Sequence, residues 1–204
     1  MVSGRPRYDT ASLLEVAVQV FIARGYDGTS MEHLAQASGL SKSSIYHHVA
    51  SKEQLLRLAL ERAVGPLFAV AEESAAREGR AIDRLEHVVR REVHVLIEQL
   101  PYVTLLLRVH GNTATERWAL ERRREFDRFV ADLVARAAHE GDIRDDLDAG
   151  IVTRLLFGMI NSLVEWYHPA AELTKRHDGR PGRTVTADDL AEVVLRMTVD
   201  GLRR

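Results

Sequence analysis

Residues 29–56, TSMEHLAQASGLSKSSIYHHVASKEQLL, constrain the fold of this chain more than any other stretch. Thr29 stands three residues before Glu32, the spacing of a capping box, and is expected to start a helix. Met31, Leu34 and Ala35 give that helix one apolar side. Ser38-Gly39-Leu40-Ser41 then breaks it, with Gly39 free to take the left-handed conformation that a tight turn needs. Ser41 is the expected cap of a second, short helix. In it Ile45 points inward, while Lys42, Ser43, Ser44, Tyr46 and His47 stay outward. Ala35, Gly39 and Ile45 fall four, eight and fourteen residues after Met31. Close packing of two helices needs a small residue at the first of these positions and an apolar one at the last. The pattern is a helix-turn-helix, whose second helix can lie in a DNA major groove.

These residues resemble the tetracycline-repressor (TetR) family of bacterial transcription regulators. The resemblance is carried by Gly25-Tyr26 and Gly28-Thr29-Ser30, Leu34-Ala35, and Gly39-Leu40-Ser41-Lys42. It continues in Ile45-Tyr46-His47-His48 and in Ser51-Lys52-Glu53 with Leu55-Leu56, so that it covers roughly residues 10–60. Val49 departs from it, since the family usually has Phe there. The resemblance implies an all-α chain with a three-helix helix-turn-helix DNA-binding domain at residues 1–50 and a connecting helix at 51–66. A larger helical domain for ligand binding and dimerisation follows at 67–204. On the recognition helix, the hydroxyls of Ser43 and Ser44 suit base edges, and Tyr46 suits a phosphate. Lys42 and His47 complete the outward face. Position by position the resemblance supports DNA contact by Lys42, Ser43, Ser44, Tyr46, His47 and Lys52, and by Thr29 before them. His48 reads as structural.

Composition excludes several other classes. With 204 residues the chain can hold one or two domains and a real core. No apolar run reaches membrane-spanning length, and the start, MVSGRPRYDT, lacks the apolar stretch of a signal peptide. The absence of cysteine excludes a disulfide framework, a thiolate nucleophile and a cysteine zinc site. A cytoplasmic location fits. Net charge is −2, unlike a nonspecific nucleic-acid coat, and residues 1–60 are themselves nearly balanced. DNA affinity must then come from local placement of cations and hydroxyls, together with dimerisation, and should fall only modestly with salt.

Along the chain, residues 1–8 read as a polar arm. Its Arg5 and Arg7 either reach a phosphate or the minor groove or belong to an inert tail. A helix is expected from Asp9 or Thr10 to Arg24, with Leu14, Ala17, Val18 and Phe21 on one face and Gly25 closing it. Ser51 and Gln54 form a further capping box that starts the connecting helix. Lys52 lies in its first turn, where the macrodipole disfavours a cation, so it faces either a phosphate or simply solvent. Gly65-Pro66 should end or kink that helix, and a kink there could serve as a hinge. Ile82, Leu85, Val89, Val93, Leu96 and Leu100 make a helical stripe ended by Pro101. Tyr102–Val109 reads as a buried helix, and a long helix follows from about Thr115 to His139, capped by Gly141.

Asp148 begins a helix that is apolar nearly all round, which requires cover on more than one side. Residues 168–185 read as a flexible connection. Thr186 and Asp189 then cap a last helix with Leu190, Val193, Val194, Met197 and Gly201 inward. We expect these last two helices to pair with their copies in a second subunit as a four-helix bundle. Two-fold pairing sets two recognition helices in successive major grooves, about 34 Å or a multiple apart, and predicts an inverted-repeat operator.

No enzyme motif appears, neither a GxSxG elbow, an HExxH, a phosphate-binding glycine loop nor a convergent carboxylate pair. Nor do the nine histidines have metal-site spacings. No cofactor is therefore expected. A ligand pocket is the stronger second function, with Arg108, His110, Trp118, Arg122, Phe126, Phe157, Asn161 and Trp166 as candidate lining residues. Core packing accounts for any one of them equally well. Asn161 interrupts an apolar helix and needs a partner, from the protein or from a ligand. Residues 155–169, LLFGMINSLVEWYHP, resemble the TetR branch that answers to acyl-CoA thioesters of lipid, steroid or aromatic-acid degradation. That resemblance implies an apolar tunnel with cations at its mouth, for which Arg122, Arg123 or Arg154 are available. The alternatives are a lipophilic drug-like effector, as in efflux regulators, or an architectural DNA-binding protein that takes no ligand.

Overall fold

The computed structural model describes residues 9–168 and 185–203. The arm at 1–8 and most of the 168–185 connection lie outside the described residues. Among the described residues the chain is all-α, without a strand; a single isolated bridge joins Ile143 to Arg203. Two compact units divide it: Met1–Ala63 with Pro101–Leu120, and Val64–Leu100 with Glu121–Arg204. Compactness thus cuts the chain differently from the chain-order segments read above.

In the first unit, α1 (Thr10–Arg24) begins at Asp9, whose carboxylate accepts from the Ser12 amide at 2.8 Å. It buries Leu13, Leu14, Ala17, Val18 and Phe21, and Gly25 closes it at φ 74°. The next helix, α2 (Met31–Ser38), starts one residue later than its sequence suggests. Ser30, not Thr29, is the cap, and the reciprocal partner is His33 rather than Glu32. Gly39 ends α2 in the left-handed region, at φ 69°. Ser41 then caps α3 (Lys42–His48), accepting from the Ser44 amide at 3.1 Å. Helix α4 (Lys52–Glu72) opens on Ser51, which accepts from the Gln54 amide, while the Gln54 side chain accepts from the Ala50 amide. It does not end at Gly65-Pro66. Pro66 sits inside the helix, bringing no N–H of its own, and the helix runs on to Glu72.

The short α5 (Ser74–Arg77) leads to α6 (Ala81–Glu98). Leu100 and Pro101 begin α7 (Leu100–Arg108) rather than finishing α6, in keeping with the preference of proline for a first helical turn. Then come α8 (Ala114–His139), α9 (Ala149–Asn161), α10 (Leu163–Trp166) and α11 (Ala187–Leu195), the last continued by a π turn at Arg196–Asp200. The core of the second unit gathers buried side chains of α6, α8, α9 and α11, among them Leu85, Phe126, Val130, Leu156, Ile160 and Val194. α11 lies along α6, where Arg90 pairs with Glu192 at 3.2 Å and His94 with Asp188 at 3.0 Å.

The last helices differ from expectation in which side faces inward. Leu190, Ala191, Val194, Leu195 and Val199 are buried, whereas Val193 and Met197 are exposed. On α9, Ile151 and Leu155 are exposed in the same way, Leu155 to 70%. Each helix of the pair therefore keeps two large apolar side chains, one turn apart, in contact with water in the single chain.

Candidate nucleic-acid interface and effector region

Ile45 fixes the recognition helix. It is wholly buried, and its position leaves Lys42, Ser43, Tyr46 and His47 exposed, with Ser44 half-buried. Tyr46 is 52% exposed, unusual for a large aromatic side chain in a unit with a core of its own. The hydroxyls of Ser43 and Ser44 both lie 3.0 Å from the Ser41 hydroxyl. Lys42 pairs with Glu32 on α2, which raises the lysine pKa above its ordinary value. The pair is exposed and weak enough to yield to a phosphate. His48 is half-buried and Val49 buried, so the smaller residue at 49 still seals the core behind the helix.

Two expected DNA contacts have other duties. Thr29 is 3% exposed; its hydroxyl donates to the Gly25 carbonyl at 2.7 Å and its amide to the Tyr26 carbonyl. Its side chain faces the interior, with the hydroxyl proton engaged by the Gly25 carbonyl. Lys52 faces neither solvent alone nor an open groove. Its ammonium donates to the Tyr26 and Thr29 carbonyls at 2.8 and 2.7 Å and lies 4.1 Å from the centroid of the Tyr26 ring. The cation in the first turn of α4 thus ties the loop before α2 to the start of α4.

Residues 101–120 are built into the same unit. Arg108 donates to the Ile22 carbonyl at 3.1 Å, Asn112 to the Asp27 carboxylate at 2.8 Å, and Thr115 to Glu53 at 2.9 Å. The Arg57 guanidinium stands 3.4 Å from the centroid of the Trp118 indole. A cleft of about 480 Å³ between the α1–α2 turn and the α7–α8 loop is lined by Tyr26, Asp27, Arg108, His110 and Asn112, among others.

The residues proposed to line a ligand pocket divide between the two units. Arg108, His110 and Trp118 belong to the helix-turn-helix unit, and Arg122, Phe126, Phe157, Asn161 and Trp166 to the other. In that second unit the Phe126 and Phe157 rings stack at 6.0 Å, Phe68 meets Phe126 edge-on, and Arg122 lies 3.6 Å from the Phe68 centroid. Trp166 is exposed, donating to Ser162 at 3.4 Å. Asn161 is half-buried in the last turn of α9, so burial alone makes no demand for a partner there. Among the described residues no three His, Cys, Asp or Glu gather as a metal ion would need. His87 bonds to Glu73 at 2.6 Å and His94 to Asp188, carboxylates that lie far off in sequence.

Sequence reasoning missed Glu92. It occupies the middle of the inward stripe Ala81, Leu85, Val88, Glu92 and Val95 and is 7% exposed. Burial, and next the neighbouring Asp127, push its carboxyl well above the ordinary range, while Arg123 opposes them. The alternating four- and three-residue steps were visible in sequence, with one acid among apolar positions.

Two family models match this chain: "Bacterial regulatory proteins, tetR family" over residues 13–59 and "Tetracyclin repressor-like, C-terminal domain" over residues 78–202. A solved member of the TetR transcriptional regulator family from Streptomyces coelicolor A3 is 55% identical, with a TM-score of 0.84, covering 100% of this chain and 96% of that one. The transcriptional repressor KstR2 of Rhodococcus jostii is 28% identical over 193 residues, 93% of this chain and 89% of that protein. AibR, solved in complex with isovaleryl coenzyme A and operator DNA, shares the fold at a TM-score of 0.71 and 23% identity, covering 93% of this chain and 97% of that one.

Proposed function

This chain belongs to the TetR family of bacterial transcriptional regulators, and on that premise we propose that it acts as a homodimeric repressor released from an inverted-repeat operator by a small-molecule effector. The observation that carries the proposal is the α3 surface. Ile45 anchors the helix while Lys42, Ser43, Ser44, Tyr46 and His47 stand outward on a chain whose net charge gives no general affinity for nucleic acid. Lys42 and Tyr46 take phosphates, and the serines and His47 take base edges. The paired exposed side chains Ile151 with Leu155 and Val193 with Met197 are the face that a partner subunit would cover.

The proposed domains are the helix-turn-helix at 1–50, the connecting helix at 51–66 and the effector and dimerisation part at 67–204. α4 and α8 each contribute residues to both compact units. Arg108 of α7, Asn112 of the α7–α8 loop and Thr115 of α8, bonded to Ile22, Asp27 and Glu53, add further holds on the reading head. An effector that binds one spacing of the two heads better than the other releases the operator, and a tenfold loss of DNA affinity needs only about 1.4 kcal/mol of such coupling.

For the effector we propose an acyl-CoA thioester, on the resemblance of residues 155–169 and on AibR as a case of this fold holding one. Fluorescence anisotropy of a selected operator duplex, titrated with isovaleryl-CoA and with longer acyl-CoA thioesters, tests this. Release at micromolar thioester supports it. Release by lipophilic drug-like compounds alone replaces it with the efflux-type reading, and no release by either leaves a ligand-free DNA-binding protein.

A further inference from the structure

Glu32 has no part in the cap that its sequence position suggests. Ser30 and His33 complete the capping box of α2 without it. Its side chain is 68% exposed and reaches instead to the ammonium of Lys42, the first residue of α3. The α2 dipole favours an acid in this first turn, which accounts for the residue type and not for its reach across to α3. Lys42 is the only lysine or arginine in α3, so the pair cancels the one permanent positive charge of the recognition helix. Other cations of the unit do not replace it. Lys52 is held by the Tyr26 and Thr29 carbonyls, and Arg57 by Glu61 and the Trp118 ring. Nor does a net charge of −2 supply a general attraction for a polyanion. Carboxylate and phosphate oxygens are alike as acceptors for an ammonium. Glu32 thus occupies the place that a phosphate must take if Lys42 is to bind one.

We propose that Glu32 is an intramolecular competitor for the DNA phosphate that Lys42 takes, and that it sets operator affinity below what the α3 surface alone would give. Free protein holds Lys42 on Glu32 and bound protein holds it on a phosphate, so each head breaks one ion pair on binding. Both partners are exposed, and such a pair is worth a factor of about two in the equilibrium at each head. A dimer breaks two pairs, which is about fourfold in operator affinity. Looser holding suits a regulator, since an effector then needs less coupling to displace the DNA. The exchange rests on the regulator reading, in which Lys42 meets a phosphate, and adds to it the residue that opposes that contact.

The test uses full-length protein, the operator recovered with wild type, and a random duplex of equal length. Glu32→Gln removes the charge and keeps the shape, and is made both in wild type and in Lys42→Met. Fluorescence anisotropy is read between about 50 and 200 mM salt. Glu32→Gln should bind the operator about fourfold more tightly at the lower salt, with the gain shrinking at the higher as the ion pair is screened. In the Lys42→Met background the same substitution should change affinity little. On random duplex a smaller gain, again dependent on Lys42, is expected. The melting temperature of Glu32→Gln should stay close to that of wild type, which separates the effect from folding. The assignment is overturned if Glu32→Gln binds as wild type does or more weakly. It is overturned equally if the gain persists undiminished in Lys42→Met, which is general charge repulsion. Should wild type select no operator, the regulator reading fails, while the presence or absence of a Lys42-dependent gain on random duplex still decides the role of Glu32.

Discussion

The ammonium of Lys52 donates to the main-chain carbonyl of Tyr26 at 2.8 Å and lies 4.1 Å from the centroid of the ring of that same residue. One cation at the start of α4 thus closes the loop that leads into α2, through two charge-assisted bonds and a ring contact. Lys52→Met should therefore cost about 1–3 kcal/mol of stability, read by urea unfolding of the dimer. DNA affinity should fall only as far as the unfolded fraction grows. A variant of unchanged stability with strongly weakened operator binding would make Lys52 a phosphate contact instead.

Ile45 is the inward anchor of the recognition helix, with no exposed surface. Ile45→Ala should destabilise by about 2–5 kcal/mol. Operator binding should be lost at temperatures where α1 remains helical by circular dichroism. Stability within about 0.5 kcal/mol of wild type would show the site to be surface-like.

Tyr46 stands next to it and points away. Tyr46→Ala should weaken operator binding by about tenfold or more while shifting unfolding by no more than about 0.5 kcal/mol. An equal loss of folding would make Tyr46 a core residue and remove it from the reading surface.

The exposed pairs on α9 and α11 predict the assembly. Leu155→Glu with Met197→Glu places two carboxylates on each copy of the proposed bundle face, where like charges cannot be desolvated together. Light scattering at micromolar concentration should give the monomer mass for this double variant and the dimer mass for wild type. A dimeric double variant would place the interface elsewhere.

Much of this fold was legible because its signals are local. Asp9, Ser41, Asp148 and Thr186 each cap the helix their sequence announces, and Gly39 takes the one conformation that a tight turn leaves open. The α3 surface followed from the phase of Ile45 alone. The failures are of two kinds. Ser30 and Thr29 both satisfy a cap at neighbouring positions, and only the interior bond of Thr29 to Gly25 decides between them. Lys52, His87 and His94 answer to partners 14 to 94 residues away, a pairing that no local pattern encodes. Val193 and Met197 read as inward because they are apolar, yet sequence cannot tell a side buried in its own chain from one reserved for another. Glu92 was passed over because the neighbouring stripe Ile82-Leu85-Val89-Val93-Leu96 is unbroken, and a continuous pattern outcompetes one with an acid in it.

The central claim is most directly tested by incubating the full-length protein with a pool of genomic DNA fragments and sequencing what it retains. The account predicts enrichment of one inverted repeat, with half-site centres about 34 Å or a multiple apart, that Tyr46→Ala fails to retain. Retention without sequence preference, or of the same site by Tyr46→Ala, would contradict it.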